Sequence, residues 1–435
     1  MIMNKKRNIF WFRRDLRLND NRGLYEALIA DKEVLPIFIF DQEILNKLPK
    51  DDARISYIHQ ELENINKQLN EIGSSLTVCI GRPKEVFSAL SKKHEIDSVF
   101  CNHDYEPYAI QRDQEIKELL SSKNIGFKSY KDQVIFERNE ITKKDGTAYK
   151  VYTPYSKKWL EAFEINGIQC FPSEENLTKC IKKDSNQLPT LAEIGFKKSS
   201  IKVASYKVTS KLIDTYEETR NFPAKNSTSR LGTHLRFGTV SVRKMVEKAA
   251  KSNNITFLKE LIWREFFMQI LWHFPQTTKD SFKPKYDRIL WRNNENDFKA
   301  WCKGKTGYPL VDAGMRELNQ TGFMHNRVRM LVGSFLCKHL LIDWRWGEAY
   351  FAEKLHDYEQ SSNVGNWQWV AGCGVDAAPY FRIFNPTTQI QKFDKELNYI
   401  QKWVPEFQEL TYDSPIVEHK FARERCLKTY KEALL

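Results

Sequence analysis

A chain of 435 residues exceeds what one hydrophobic core usually supports, so two domains are expected. Hydrophobic residues make up 41%, enough for sizeable interiors, and the net charge of +12 favours a polyanionic partner such as nucleic acid, although solubilising lysines give the same sum. No stretch approaches the 18 apolar residues of a membrane span, and the basic start Met1–Asp15 lacks the apolar run of a signal peptide, so a cytoplasmic protein with no membrane partner is expected.

The first third alternates apolar runs with amphipathic stretches. Ile9–Phe12, Val34–Phe40, Leu76–Ile80 and Val99–Cys101 read as strands, with Val134–Phe136 as one more. Leu24–Ala30 and Tyr57–Ile72 have helical spacing between them. Such alternation predicts an α/β domain over residues 1–133, a parallel sheet with helices on both faces. Residues 134–199 are rich in Lys, Ser, Asn and Thr and read as an interdomain connection, with Leu177–Lys198 an exposed loop carrying short helices. From residue 200 to 435 the pattern is all-α, and Phe257–Phe274 and Met324–Leu341 show it most clearly. The eight Cys are scattered without a CxxC pair or neighbouring His at ligand spacing, which predicts reduced thiols and no metal site.

Several segments carry candidate chemistry. Trp11–Asn21 (WFRRDLRLNDN) joins a strand to a helix that Asp20 or Asn21 would cap; its plain reading is a charged loop holding salt bridges, and it has no GxGxxG for a dinucleotide. The run Asn226–Ser229 precedes an expected helix, as a phosphate site or a capping cluster. In Leu258–Phe274, Glu260, Trp263, Arg264 and Phe267 share a helix face, which fits contact with a base and its phosphate, or merely an intrahelical Glu260–Arg264 pair. Phe323–Met330 sets Asn326, Arg327, Arg329 and Met330 within two turns, either around a ligand or as a basic helix surface. Asp357, Glu359, Ser361, Ser362 and Asn363 precede the Trp-rich Asn366–Trp369, a polar density that calls for a bound ligand or an exposed loop.

Together WFRRDLRL, TSRLGTHLRFG, ELIWREFF, WCKGKTGYPLVDAGMREL, HNRVRM and GNWQW…DAAPYFRIFNP resemble the DNA photolyase/cryptochrome family, most of all its class I cyclobutane pyrimidine dimer photolyases. They run in order from residue 11 to residue 386. The resemblance implies an antenna-binding α/β domain and a helical domain holding FAD. Tyr216, Thr228, Ser229, Arg230 and Leu231 would surround the flavin phosphates. Gly232 stands where many members have Ser and would offer its amide. Arg329 and Asp357 would flank the isoalloxazine and ribityl region beside Tyr358 and Glu359, the last in place of a more usual Asp. Asn363 would face flavin N5.

The same resemblance implies that DNA containing a pyrimidine dimer binds a monomeric enzyme with the dimer flipped out of the stack. Trp263 and Trp369 would stack on the dimer. Glu260 and Asn326 would hydrogen-bond its edges, with Glu260 donating if protonated, and Met330 would pack against it. Arg220, Arg264 and Arg327 would hold phosphates. Trp367, Trp344 and Trp291 match the family's electron relay, although each is equally a core aromatic by itself. Light-excited reduced FAD would pass one electron to the dimer, whose two C–C bonds split before the electron returns. Cryptochrome signalling and (6-4) repair are the alternatives. The first goes with a long C-terminal tail, which this chain is expected to lack, and the second with a His pair where Asn326 and Met330 stand. A second chromophore, methenyltetrahydrofolate or a deazaflavin, would involve Glu106, Tyr108 and Lys279. Tyr108-Ala109 departs from the Asn-Glu of folate-binding relatives.

Overall fold

The computed structural model describes residues 6–182 and 187–435, so the extreme N-terminus and part of the expected Leu177–Lys198 loop lie outside the described residues. The chain forms two compact units. The first comprises residues 1–137, 162–203 and 232–248; the second comprises 138–161, 204–231 and 249–435. Residues 134–199 are therefore not a separate connection. They divide between the units, with the boundary inside the Tyr152–Asn166 helix.

In the first unit five strands form one sheet: β1 (Arg7–Phe12), β2 (Val34–Asp41), β3 (Thr77–Gly81), β4 (Ile96–Asn102) and β5 (Gly126–Tyr130). All neighbours are parallel, in the order β3-β2-β1-β4-β5. Side-chain alternation sends Phe10 and Phe12 of β1 to one face and Ile9 and Trp11 to the other. The first face packs on Leu24 and Leu28 of the Arg22–Ile29 helix and on Leu62, Ile65 and Leu69 of the Ala53–Glu71 helix. The second packs on Phe87 and Leu90 of Pro83–Lys93 and on Ile116 and Leu120 of Pro107–Ser121. Burial on both faces explains why β1 and β2 read as unbroken apolar runs. The expected strand at Val134–Phe136 is irregular chain: its three residues are buried, yet they join no ladder, and the fifth strand is β5 instead.

The loop after β1 is a lattice of charge. Arg13 forks onto Asp113 at 2.5 and 2.7 Å, and Arg14 reaches Asp104 at 2.9 Å. Buried Asp132 joins Arg17 (2.7 Å) to Arg243 (2.8 Å), and Arg243 also holds Asp20 (3.0 Å). Those two guanidiniums hold the Asp132 carboxyl down to about 2 against a desolvation effect that raises it. Asn21, not Asp20, caps the next helix, accepting from the Leu24 amide at 3.2 Å. A Cβ at Gly238 would lie 2.2 Å from the Arg14 carbonyl oxygen, and its φ is +62°, so only glycine fits against this loop. WFRRDLRLNDN is thus the salt-bridged loop of its plain reading.

The second unit has helices and no strand among the described residues. Its core gathers Trp301, Val311, Leu318, Leu331, Val332, Phe335, Trp344, Phe351 and Trp367. Thr256–His273 is buried nearly all round, and its buried carboxylate Glu265 is satisfied by Trp159 Nε1 at 2.6 Å and the Tyr155 hydroxyl at 3.3 Å. The helix expected over Met324–Leu341 is shorter. Asn326–Ser334 is α-helical, and Phe335–His339 widens into a π turn. That turn stacks His339 on Phe335 (4.7 Å, 19°) and brings the buried Lys338 ammonium to the Ala371 carbonyl at 2.9 Å, where the Gln360–Ala371 helix ends.

Candidate functional site

A cavity opens in the helical unit. Asn326, Arg329 and Met330 line it from the Asn326–Ser334 helix. Asp357, Tyr358 and Glu359 line it from the chain preceding the Gln360–Ala371 helix, and Asn363, Trp367 and Trp369 line it from that helix. The spacing 326, 329, 330 and the spacing 363, 366, 367, 370 put one side of each helix on the hole. Gly333 keeps the wall low: a Cβ there would meet Val370 at 3.1 Å and Trp367 at 3.6 Å.

Two polar devices mark the cavity. Arg329 forks onto Asp357 at 3.1 and 2.9 Å and donates from Nε to the Met324 carbonyl at 2.7 Å. Asn363 donates to the Glu348 carbonyl (3.0 Å) and carboxylate (2.9 Å), which fixes its amide and leaves its oxygen as an acceptor. Burial pushes the Glu348 carboxyl above its ordinary range, while the Asn363 hydrogen bond pulls it back down. Glu348 was not expected from the sequence; it sits on Trp344–Lys354, where nothing in its neighbourhood marks it. These walls suit a flat heteroaromatic ring with a polyhydroxylated, anionic tail. The apolar room, the oriented amide and the guanidinium–carboxylate pair are the features that would hold FAD.

A second cluster stands on the Thr256–His273 helix. Glu260 and Arg264 do not pair with each other: Glu260 accepts from Arg220 at 2.6 Å, and Arg264 meets Glu359 at 3.4 Å. Trp263 lies flat on Tyr152, a residue the sequence did not single out, with ring centroids 3.6 Å apart. Arg327 donates to Asn221 Oδ1 at 2.5 Å and lies over Phe393 at 4.5 Å. His325 caps the Asn326–Ser334 helix by accepting from the Arg327 amide at 3.1 Å. Burial, then Arg329, Arg230, Arg327 and Arg220, push its imidazole down to about 4. A cap must accept, so the surrounding cations keep His325 in the form that does.

The remaining expected residues are more dispersed. Tyr216 packs edge-on to Phe257 at 5.2 Å, under Arg220. Ser229 offers its carbonyl to the Lys207 amide at 2.8 Å, and Leu231 is buried. Arg230 takes a left-handed φ of +55° and lays its guanidinium on Phe323 at 3.7 Å. Thr228 precedes it in irregular chain, whereas Gly232 opens a five-residue helix in the first unit. The phosphate side of the expected site is thus not part of the cavity wall. Of the three relay candidates only Trp367 lines the cavity; its ring neighbours include Phe351 (4.9 Å) and Trp301 (6.1 Å). Trp344 is wholly buried, with no acceptor for its indole N–H among the described residues, and Trp291 meets Tyr430 edge-on at 6.0 Å. Among the described residues no close ring contact joins the three.

In the first unit a groove is lined by Tyr108, Gln111, Arg112 and Glu115 and by Glu43, Arg82, Pro83, Lys84 and Glu85. Tyr108 donates to Asp41 at 2.6 Å. Glu106 is taken up by Arg14 (3.4 Å) and Arg236 (3.0 Å) and does not line the groove. Lys279 lies in the second unit, after the short Pro275–Thr278 helix, with its carbonyl accepting from Arg345. All eight Cys are free thiols, and no three His, Cys, Asp or Glu among the described residues gather as metal ligands.

A parallel sheet in one unit and a polar-walled cavity between helices in the other define a photolyase-type flavoprotein fold. Residues 8–175 match the family model of DNA photolyase, and 257–411 that of the FAD binding domain of DNA photolyase. The chain is 35% identical to the deoxyribodipyrimidine photo-lyase of Agrobacterium fabrum, over 97% of each chain. A class III photolyase from Agrobacterium tumefaciens superposes with a TM-score of 0.87 at 33% identity, covering 100% of this chain and 98% of that one. The photolyase of Sulfolobus tokodaii, solved with two FAD molecules, superposes with a TM-score of 0.83 at 35% identity, covering 98% and 99%. This chain belongs to the DNA photolyase family. The comparisons fix the family and not the class I expected from the sequence.

Proposed function

We propose that the protein is a deoxyribodipyrimidine photo-lyase. It would bind FAD in the cavity of the helical unit and split cyclobutane pyrimidine dimers in DNA under light. The observation that carries this is the meeting of Asn326, Met330, Asn363 and Trp369 with the Arg329–Asp357 pair around one cavity. Bound reduced FAD supplies a light-excited one-electron donor. The protein's part is binding and orientation. Arg329 and Asp357 hold the polar tail, and Asn363, fixed by Glu348, presents its amide oxygen. Asn326 hydrogen-bonds the extruded pyrimidines, Met330 packs on them, and Trp369 and Trp263 stack. Glu260 accepts from a pyrimidine N–H. Arg220, Arg264 and Arg327 neutralise flanking phosphates. Met330 in place of a His speaks for cyclobutane dimers over (6-4) products.

The enzyme acts as a monomer in the cytoplasm. Among the described residues no helix is long and apolar enough to cross a membrane. A light-harvesting chromophore occupies the groove beside Tyr108, a reading supported by the aromatic ring of Tyr108 and by Lys84 and Arg112 among its lining residues.

The test is loss of a single thymine dimer from a synthetic oligonucleotide under blue light, with a dark control. Equal loss in both samples, or purified protein that is colourless and takes up no FAD, would overturn the reading.

A further inference from the structure

We propose that Tyr152 is the positioning residue that clamps the indole of Trp263 and leaves it one face on which to stack a base. The proposal rests on the DNA-repair reading above and adds a residue to it.

Tyr152 is the first residue of the Tyr152–Asn166 helix, and Trp263 stands two turns into Thr256–His273. Their rings lie 3.6 Å apart and 7° from parallel, closer and flatter than the offset or edge-on pairs that fill most cores. Phe266 meets both rings edge-on, at 5.8 Å from Tyr152 and 5.6 Å from Trp263. Trp263 nevertheless remains only half-buried. Phe267 also lies against the indole, tilted by 30° at 5.6 Å, while the phenol seals the face it covers.

Tyr152 is held at both ends. Its backbone amide donates to Asp376 Oδ2 at 3.1 Å, and its hydroxyl donates to the Lys259 carbonyl at 2.8 Å. Lys259 precedes Glu260, and in an α-helix its carbonyl also serves the Trp263 amide. One ring thus fixes the indole and the backbone of the turn carrying Glu260. Burial and the nearby Glu260 charge push the Tyr152 hydroxyl up, which keeps it a donor at any pH where DNA is bound. An indole already held in its stacking pose gives up little freedom when a base arrives; an unbacked one must be ordered at that moment.

The experiment uses the full FAD-loaded chain. It measures the Kd for an oligonucleotide with one thymine dimer, the Kd for the undamaged oligonucleotide, and the repair rate at saturating DNA under fixed light. Tyr152→Phe keeps the ring but loses the hydroxyl anchor and is expected to weaken dimer binding about threefold. Tyr152→Leu is expected to weaken dimer binding roughly tenfold. Its affinity for undamaged DNA and its saturated repair rate should hold within about twofold. In a Trp263→Ala background Tyr152→Leu should add nothing. Should Tyr152→Leu fail to retain FAD, Asp376→Ala, which loosens the anchor and keeps the ring, is expected to weaken dimer binding about threefold. Equal weakening for damaged and undamaged DNA, a fall in the saturated rate as large as the fall in affinity, or undiminished dimer binding by the Leu and Ala variants would overturn the proposal. Wild-type protein that repairs nothing in light would instead sink the photolyase reading.

Discussion

The Asn363 amide gives both of its hydrogens to one residue, Glu348: to its carbonyl at 3.0 Å and its carboxylate at 2.9 Å. A terminal amide without such partners can turn over and exchange its oxygen for its nitrogen. Here the oxygen is committed to the cavity. Replacing Glu348 by Ala removes the carboxylate acceptor and leaves the amide free to flip. Glu348→Ala is expected to retain FAD but to lower saturated repair roughly tenfold, as expected for a lost charge-assisted hydrogen bond. Glu348→Gln, which keeps an acceptor, should lie between. A wild-type rate in the Ala variant would show that the amide is oriented by something else.

Among the described residues of other segments, Arg327 is engaged by Asn221 and the face of Phe393 and by no carboxylate. Its charge is therefore available to a phosphate. Arg327→Ala should weaken binding to damaged and undamaged DNA alike and reduce the slope of log K against log salt by about 1. Arg220 differs, because it is already paired with Glu260. Arg220→Ala should flatten the salt slope similarly and also alter dimer preference. Binding titrations at four salt concentrations separate the two.

Trp367 is the one relay candidate on the cavity wall. Trp367→Phe should abolish light-driven reduction of oxidised FAD by an external thiol. Repair by chemically reduced enzyme should stay within about twofold, since that electron does not pass through the relay. Photoreduction at the normal rate would exclude Trp367 as first donor.

The C-terminal helix His419–Leu434 is fastened by an imidazole pair: His339 Nε2 lies 2.8 Å from His419 Nδ1, with Phe335 stacked beneath and Arg425 donating to the His339 carbonyl. Burial first, then His419 and Arg425, push His339 down to about 3. The folded state therefore binds fewer protons than the unfolded one below an ordinary histidine pKa near 6.5. Stability from this pair is complete above about pH 6.5 and is lost as pH falls toward 3. Thermal melting between pH 7.5 and pH 4 should show a steep fall that His339→Leu makes shallower, at a cost of about 1–3 kcal/mol at neutral pH. Parallel curves would remove His339 from the account.

The residues the sequence made legible share a physical cause. β1 and β2 are buried on both faces, so their apolar runs are continuous. β5, Gly-Phe-Lys-Ser-Tyr, is a half-exposed edge strand without such a run, and only its ladder with β4 identifies it. Val134–Phe136 has the composition of a strand but joins no ladder among the described residues, because burial alone does not require one. At the site, Asn326, Met330, Asn363 and Trp369 stood out by motif. Tyr152 and Glu348, which hold Trp263 and fix Asn363, did not. A tyrosine beginning a helix or a glutamate inside one looks like many others until another segment is laid against it.

By itself the sequence determined the fold class, the family and the helix faces that carry the chemistry, because periodicity and ordered motifs are local properties of a chain. It also offered Glu260 and Arg264 as one another's partners, four residues apart on a helix. Tertiary structure alone gave Glu260 to Arg220, Arg264 to Glu359 and Tyr152 to Trp263, because ion pairs and ring stacks form with whatever the fold brings within a few ångströms.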